Sequence, residues 1–177
     1  MRLVVLVCAV LLLVGACDSK GGSMSKDEQF AELLKRPDLE QVEADSRKML
    51  DEIRGELVSR LGIAPWEPGK GEAYTGSACA EFPDLSGAEK RRFSSGRSPG
   101  NLPDARWAEA VDLVKSIASR YGFKEPGVVV DRPSDHEVTF RTDQGAELWF
   151  GTAVNTTLSL TTGCHLTREA HQRGTPS

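Results

Sequence analysis

The sequence predicts an α+β fold, a two-layer sandwich in which two helices, one N-terminal and one central, pack on one face of a three- to four-stranded antiparallel sheet. Apolar residues recur at helical spacing over residues 39–61 and 103–121. After Pro126 the pattern changes to the alternation that is typical of β-strands. The composition agrees, because 39% hydrophobic and 27% charged residues among 177 are ordinary for one folded domain and too apolar for a disordered chain.

The N-terminal helical part begins with a capping-box pattern, Ser-Lys-Asp-Glu, at residues 25–28. Pro37 interrupts the helix, because proline is poor inside one, and Asp38 restarts it. The apolar spacing then continues with a break at Ser46, and Gly62 ends the helix.

Residues 65–100 are rich in Gly, Pro and Ser, and their basic cluster at residues 90–92 is interpreted as a solvated loop. A structureless stretch of this length is unusual inside a domain. Its aromatic residues and Cys79 are therefore expected to pack on the body, with a short strand before Cys79. The central helix opens at residues 102–104, with proline at the first helical position, and Gly122 ends it.

The strands of the predicted sheet follow the central helix. Residues 128–130 form a short candidate strand, and residues 137–141 alternate. Asp-Gln-Gly at residues 143–145 is a hairpin signal, and the runs 146–150 and 154–160 continue the sheet. The alternation places the following residues on the face away from the helices: Thr139, Arg141, Glu147, Trp149, Asn155, Thr157, Ser159 and Thr161.

Trp149 is the exception on this hydroxyl-rich face, which otherwise has the composition of a solvated antiparallel sheet. A tryptophan exposed among such side chains would stack on a sugar or on a side chain of a partner. Trp149, Arg141 and Thr157 are therefore the candidate binding surface. The alternative is that the segment 65–100 folds over the indole ring.

The first residues predict an export signal. Arg2 precedes a run of twelve apolar residues, 3–14, and small residues follow. The run is too short to span a bilayer, which takes about 20 residues. Residues 14–17, Val-Gly-Ala-Cys, resemble a bacterial lipobox, a signal in which the cysteine thiol receives a diacylglycerol and the peptide is cut before that cysteine. Cys17 is therefore the predicted lipid-attachment residue, and its new amino group is a second acylation site, for example for palmitate.

The resulting layout is a signal peptide over residues 1–16, a lipidated cysteine with a flexible tether over 17–25, a single α+β domain over 26–166 and a polar tail over 167–177. It predicts a protein anchored to the outer face of the cytoplasmic membrane. The net charge of −4 does not draw the body to anionic headgroups, so that the lipid holds the protein there. A chain without a Lys/Arg block is not expected to bind nucleic acid.

Cys79 and Cys164 remain beyond the signal. In an oxidising compartment such a pair predicts a disulfide. The alternatives are a metal site or a nucleophile, but neither cysteine has a Cys-x-x-Cys partner, and two cysteines alone make a poor zinc site. The sequence predicts no metal and no cofactor.

Catalytic motifs such as a Gly-x-Ser-x-Gly elbow, a phosphate loop or His-Glu-x-x-His do not appear in the sequence. His136 lies at the start of a strand, His165 follows Cys164, and His171 lies in the tail, which is expected to fray. We therefore expect a non-enzymatic binding module whose partner is an envelope protein, a glycan or a lipid. One alternative is a carrier of an apolar or amphiphilic molecule between helices and sheet. The third is an enzyme that gathers His136 or His165 with a carboxylate in a polar cleft.

Four segments of the domain carry a resemblance to a known family: Cys79 after a Gly-rich stretch that contains Trp66, Ser-Arg-Tyr-Gly at 119–122, the hairpin at 143–145 and Leu-Ser-Leu-Thr-Thr-Gly-Cys at 158–164. Together with the lipobox, these segments resemble the LppA-like lipoproteins of mycobacteria and related actinobacteria. The resemblance covers roughly residues 65–166 and is clearest over 103–166. It implies a surface lipoprotein with no established catalytic activity.

Overall fold

The computed structural model describes residues 24–69, 73–93 and 96–177. The predicted signal peptide, Cys17 and most of the predicted tether lie outside these residues. The helices of the described part are α1 (Lys26–Leu34), α2 (Leu39–Leu61), α3 (Asp104–Ala118, followed by a 3₁₀ turn over Ser119–Tyr121) and α4 (Arg168–Arg173). The strands are β1 (Tyr74–Ala78), β2 (Ala88–Phe93), β3 (Arg97–Pro99), β4 (Gly127–Arg132), β5 (Asp135–Arg141), β6 (Glu147–Thr152), β7 (Asn155–Thr161) and β8 (His165–Leu166).

The boundaries of the first two helices are those that the sequence predicts. The Ser25 hydroxyl accepts from the backbone N–H of Glu28, whose carboxylate accepts from the backbone N–H of Ser25, at 2.8 Å. The Asp38 carboxylate accepts from the backbone N–H of Gln41 at 2.8 Å and opens α2. Gly62 closes α2 with a φ of +65°, a conformation that favours glycine. In α3, by contrast, Pro103 occupies the N-cap and not the first helical position.

The sheet is antiparallel, as predicted, but larger than the three to four strands expected. Its order is β1-β2-β7-β6-β5-β4, with β3 also paired to β7 and β8 to β2. Strands β4 to β7 form the predicted meander. Most of the difference lies in residues 65–100, whose described part supplies β1, β2 and β3; the short β8 adds one more strand after β7.

Helices α2 and α3 both pack on one face of this sheet, as the sequence predicts. Their apolar stripes join the inward side chains of the strands in one core. Trp107 of α3 stacks against both His136 and Phe150, with ring centroids 5.2 Å and 5.0 Å away, and so belongs to this packed layer. The buried strand residues of the core are Phe93, Val138, Phe140, Leu148, Phe150, Leu158 and Leu160.

A second, smaller core lies under α1 and surrounds the cysteine pair. It joins α1, residues 79–88, β8 and α4, and its buried members include Phe30, Leu33, Phe82, Leu85, Leu166 and Ala170. Helix α4 occupies residues for which the sequence predicts a frayed tail. That expectation is wrong for residues 168–173, because Ala170 is buried and the Thr167 hydroxyl caps the helix.

The basic cluster at residues 90–92 is part of β2, and the expectation of a solvated loop is therefore wrong. The Arg91 side chain is buried and pairs with the Glu43 carboxylate and, at 3.4 Å, with Glu40 of α2. Its guanidinium also lies 4.7 Å from the centre of the Tyr74 ring. Paired charges can be buried in this way, because each carboxylate offsets the desolvation of the arginine.

Among the described helices, none combines the length and the apolarity that a membrane span requires.

Candidate functional site

The central strands present a regular grid of side chains on the face away from α2 and α3. Trp149 of β6 lies between Thr139 of β5 and Ser159 of β7. The register brings the three predicted binding residues, Trp149, Arg141 and Thr157, onto this one face. We call the grid the outer face; its remaining members are Glu137, Glu147, Gly151 and Thr161.

A carboxylate fixes the orientation of the indole ring. Trp149 Nε1 donates to Glu147 Oε2 at 3.4 Å, and Arg141 Nε donates to Glu147 Oε1 at 2.8 Å. The Arg141–Glu147 pair is exposed and adds little to stability. It does hold Glu147 beside the partly exposed ring of Trp149, so that an aromatic surface lies next to charged hydrogen-bonding groups.

A groove of about 400 Å³ runs along the outer face beside Trp149. Arg92 of β2 joins residues of the outer face in its lining. Gly151 lies where a further side chain would project from the same face, and a Cβ there would stand 3.0 Å from the carbonyl oxygen of His136. Glycine inside a strand often marks a site where another molecule approaches the backbone closely.

A second depression, of about 460 Å³, adjoins the groove on the side of β2 and β3. The two share Arg92, Thr157 and Ser159 in their linings. The described part of the segment 65–100 thus extends the sheet sideways and does not fold over the indole ring, which was the alternative expectation.

His136 lies at one end of the sheet, between two carboxylates. Its Nδ1 is 2.9 Å from Asp131 and its Nε2 is 3.2 Å from Asp104. The backbone N–H of Ser134, together with the His136 imidazole, lowers the pKa of Asp104. These contacts join the β4–β5 turn to the start of α3, and they engage both ring nitrogens of His136.

His165 lies beyond the opposite end of the same strands. His136 pairs with Thr152, at the end of the sheet where β6 stops and β7 begins. β7 then crosses the sheet to Thr161, and the chain reaches His165 in β8 only beyond that other end. The imidazole of His165 is buried, and its Nδ1 lies 3.0 Å from the carbonyl oxygen of Pro37. The two histidines that the sequence leaves as catalytic candidates therefore do not share a cleft.

The cysteine pair forms the disulfide that the sequence predicts, with the Cα atoms of Cys79 and Cys164 5.8 Å apart. A carboxylate oxygen of Glu81 lies 3.2 Å from the sulfur of Cys164. A disulfide sulfur carries no proton, so this contact is not a hydrogen bond. The same three residues are close enough to hold a cation, but the disulfide leaves neither sulfur as a thiolate ligand.

A separate cavity of about 340 Å³ lies on the other side of the sheet, between α2 and the strand ends near His165. It is half-open to solvent and has apolar and polar lining residues, among them Ser46 and Met49 of α2. Its position is the one that the carrier alternative requires.

Acidification from pH 7 to pH 5 is expected to destabilise the protein through His165. Burial lowers the pKa of His165, and the nearby Arg36 adds to this, while the hydrogen bond to Pro37 acts in the opposite direction. A histidine with a lowered folded-state pKa binds protons more readily when unfolded, so stability falls once the pH drops through the unfolded value of about 6.5. Denaturant unfolding at several pH values measures the slope. The His165→Asn variant, which keeps a donor for Pro37, should show a shallower slope, and identical slopes would contradict the assignment.

Three residues of the site lie outside the sequence prediction. Gly151 has a local signal, since a glycine interrupts a strand pattern at this position. Glu137 has the same local signal as Thr139 and Arg141, the alternation over residues 137–141. Arg92 has none, because its place beside Trp149 depends on which strands become neighbours.

Comparisons with known proteins agree with the resemblance found in the sequence. A family model described as LppA, a lipoprotein confined to pathogenic Mycobacterium, matches residues 18–168. The crystal structure of LppA from Mycobacterium tuberculosis is similar in fold, with a TM-score of 0.55 and 13% sequence identity over 80% of this chain and 86% of that chain. No curated protein matches the chain. The match to the family model covers most of the chain. The structural comparison shows that the fold is similar as well.

Proposed function

Since the chain belongs to the LppA family of lipoproteins, we propose that it is a non-enzymatic binding module of the cell envelope whose outer face binds glycan chains. In this proposal the lipid on Cys17 holds the protein on the outer face of the cytoplasmic membrane. The domain then presents Trp149 to polymers beyond the membrane.

The observation that carries the proposal is the partly exposed indole of Trp149 at the centre of a polar groove. Sugar rings offer C–H faces that stack on aromatic rings, and hydroxyl groups that bond to charged and polar side chains. The outer face provides both kinds of contact, because Ser159 and Thr157 line the same groove as the carboxylate of Glu147 and the guanidinium of Arg92.

The length of the site favours an oligosaccharide over a single sugar as the ligand. The groove and the adjoining depression share three lining residues, so the two form one elongated surface across several strands, polar in the groove and more apolar in the depression, where Phe93 and Leu158 join the lining. Each of the two volumes is typical of a small-molecule site. Because the groove and the depression lie side by side, their combined length suits an oligosaccharide.

The arrangement of carboxylates favours binding over hydrolysis. Glu147 lies four residues before Gly151, which is the partner of Glu137 across the sheet. A strand rises about 3.3 Å per residue, so the Cα atoms of the two glutamates of the groove lie about 13 Å apart along the strand direction. The two side chains thus start from well-separated backbone positions, whereas the carboxyl groups of a glycosidase must come within about 5–9.5 Å of each other. Glu147 is also engaged by Arg141 and Trp149.

Replacing Trp149 with alanine is expected to weaken binding to envelope glycan by roughly thirtyfold or more, because truncating an aromatic hot spot costs about 2 kcal/mol or more. The measurement is co-sedimentation of the purified protein with cell walls that have been freed of protein and lipid. Val128→Ala is the matched control, because it removes an exposed apolar side chain from β4, outside the groove.

Two outcomes would overturn the glycan proposal. One is equal sedimentation of the wild type and Trp149→Ala. The other is sedimentation only with envelopes that keep their proteins, which would identify the partner as a protein.

Replacing Cys17 with alanine is expected to move the protein from the membrane fraction to the culture fluid or the soluble fraction. Two acyl chains give stable anchoring, the run 3–14 is too short to span a bilayer, and the acidic domain does not bind anionic lipid. Fractionation with carbonate washing, followed by immunoblotting, makes the comparison. Wild-type partitioning of the Cys17→Ala variant would contradict the lipobox interpretation.

A further inference from the structure

The cavity between α2 and the sheet is a second site, distinct from the outer face. It has a volume of about 340 Å³, within the range of small-molecule sites. Its apolar walls come from three parts of the fold: Val42 and Met49 of α2, Phe123 after α3, and the strand region with Ala146 just before β6 and Leu160 of β7.

Ser46 is a polar residue at a position where α2 otherwise buries apolar side chains. It interrupts the stripe that includes Leu39, Met49, Leu50 and Ile53, and it is itself only 8% exposed. Its hydroxyl has no hydrogen-bond partner in the described part of the chain, and the residue lines the cavity. The hydroxyl is not one of the fully buried unpaired atoms of the described residues, so it is accessible from the cavity, where a polar group of a ligand can bond to it.

His165 supplies a second polar group to the same cavity. It is 2% exposed, and the Pro37 carbonyl can only accept, so Nδ1 carries the proton of their 3.0 Å hydrogen bond. Burial lowers the pKa of His165, which keeps the ring neutral at pH 7. Nε2 is then an acceptor, and within the described residues it has no donor.

We propose that this cavity binds a neutral amphiphile, with an apolar body against Met49 and Leu160 and a hydroxyl group that donates to Nε2 of His165 beside Ser46. A neutral imidazole acceptor selects a hydrogen-bond donor and offers nothing to an anion. The arginine of the lining, Arg120, is paired with Glu52 and so does not call for an anionic ligand. The proposal is independent of glycan binding, because the cavity and the groove have no lining residue in common.

Two probes with the same aromatic body test the hydroxyl preference. 1-Naphthol has an apolar body and a hydroxyl donor, and 1-methoxynaphthalene has the same body without the donor. The full chain carrying Cys17→Ala is titrated with each probe by NMR, so that no acyl chain competes. We expect 1-naphthol to bind about three- to tenfold more tightly, the effect of one net hydrogen bond. Equal affinities, or no saturable binding of either probe at millimolar concentration, would overturn the proposal.

Substitutions locate the binding. Ser46→Leu restores the apolar stripe of α2 and fills the cavity, so binding of both probes should be lost while the unfolding midpoint is kept or raised. Ser59→Leu is the matched control, since it makes the same change at an exposed position of α2 and should leave both affinities unchanged. His165→Asn, which retains a donor for Pro37, should make the two probes bind equally. Unaltered binding to Ser46→Leu, or an unaltered preference in His165→Asn, would place the probes elsewhere and contradict the proposal.

Discussion

Removing the disulfide by the double substitution Cys79→Ala/Cys164→Ala is expected to lower the free energy of unfolding by about 4–5 kcal/mol, the chain-entropy value for a loop of this size. The bond closes a loop with a sequence separation of 85 residues. It also lies in the smaller core under α1, where few apolar side chains hold α1, β8 and α4 together. A core of that size depends on a covalent link more than the main core does.

Urea unfolding of the wild type with and without reductant, and of the double variant, measures this effect. The reduced wild type should match the double variant, and reductant should leave the variant unchanged. Hydrogen exchange should become faster first in α1 and α4. A loss below about 1 kcal/mol would contradict the stabilising role given to the bond by the loop-entropy argument.

Replacing Phe150 with alanine is expected to cost about 3–5 kcal/mol of unfolding free energy. Phe150 is fully buried on the helix side of β6 and stacks on Trp107 of α3, with an interplanar angle of 13°. Its removal leaves a cavity between the helix layer and the sheet and also loses the aromatic contact. Val128→Ala, at a side chain that is 72% exposed, should stay within about 0.5 kcal/mol of the wild type. If Phe150→Ala cost no more than this control, the described packing of α3 on β6 would be wrong.

The parts of the fold that the sequence predicts are those with local signals. Asp38 and Gly62 mark the ends of α2 through their own hydrogen-bonding and backbone preferences. The alternation in β5 to β7 fixes which side chains face the helices, and Gly145 at φ +83° closes the predicted hairpin.

The parts that the sequence misses depend on contacts between distant residues. Strand β2 contains the charged run at residues 90–92, a poor strand signal. It is stable in the sheet because Arg91 meets Glu43, 48 residues earlier in the chain. Helix α4 is likewise held by β8 and by Arg36, whose carbonyl oxygen lies 3.2 Å from His171 Nε2.

The same distinction applies to the two sites. The outer face follows from the period of two in neighbouring strands, so Trp149, Arg141 and Thr157 could be placed together from the sequence. The sequence contains one local signal of the cavity, the break in the apolar stripe of α2 at Ser46. Its partner His165 lies 119 positions further on, and only the fold brings the two residues to one cavity.

The most direct test of the glycan-binding account is a titration of the ¹⁵N-labelled protein with soluble fragments of purified cell-wall glycan. The indole N–H resonance of Trp149 is assigned by its loss in Trp149→Phe, and the indole of Trp107, stacked against His136 and Phe150, is the internal control. We predict that the Trp149 resonance shifts saturably while that of Trp107 stays in place. A Trp149 resonance that does not move at the highest fragment concentration, or a shift confined to Trp107, would contradict glycan binding at the outer face.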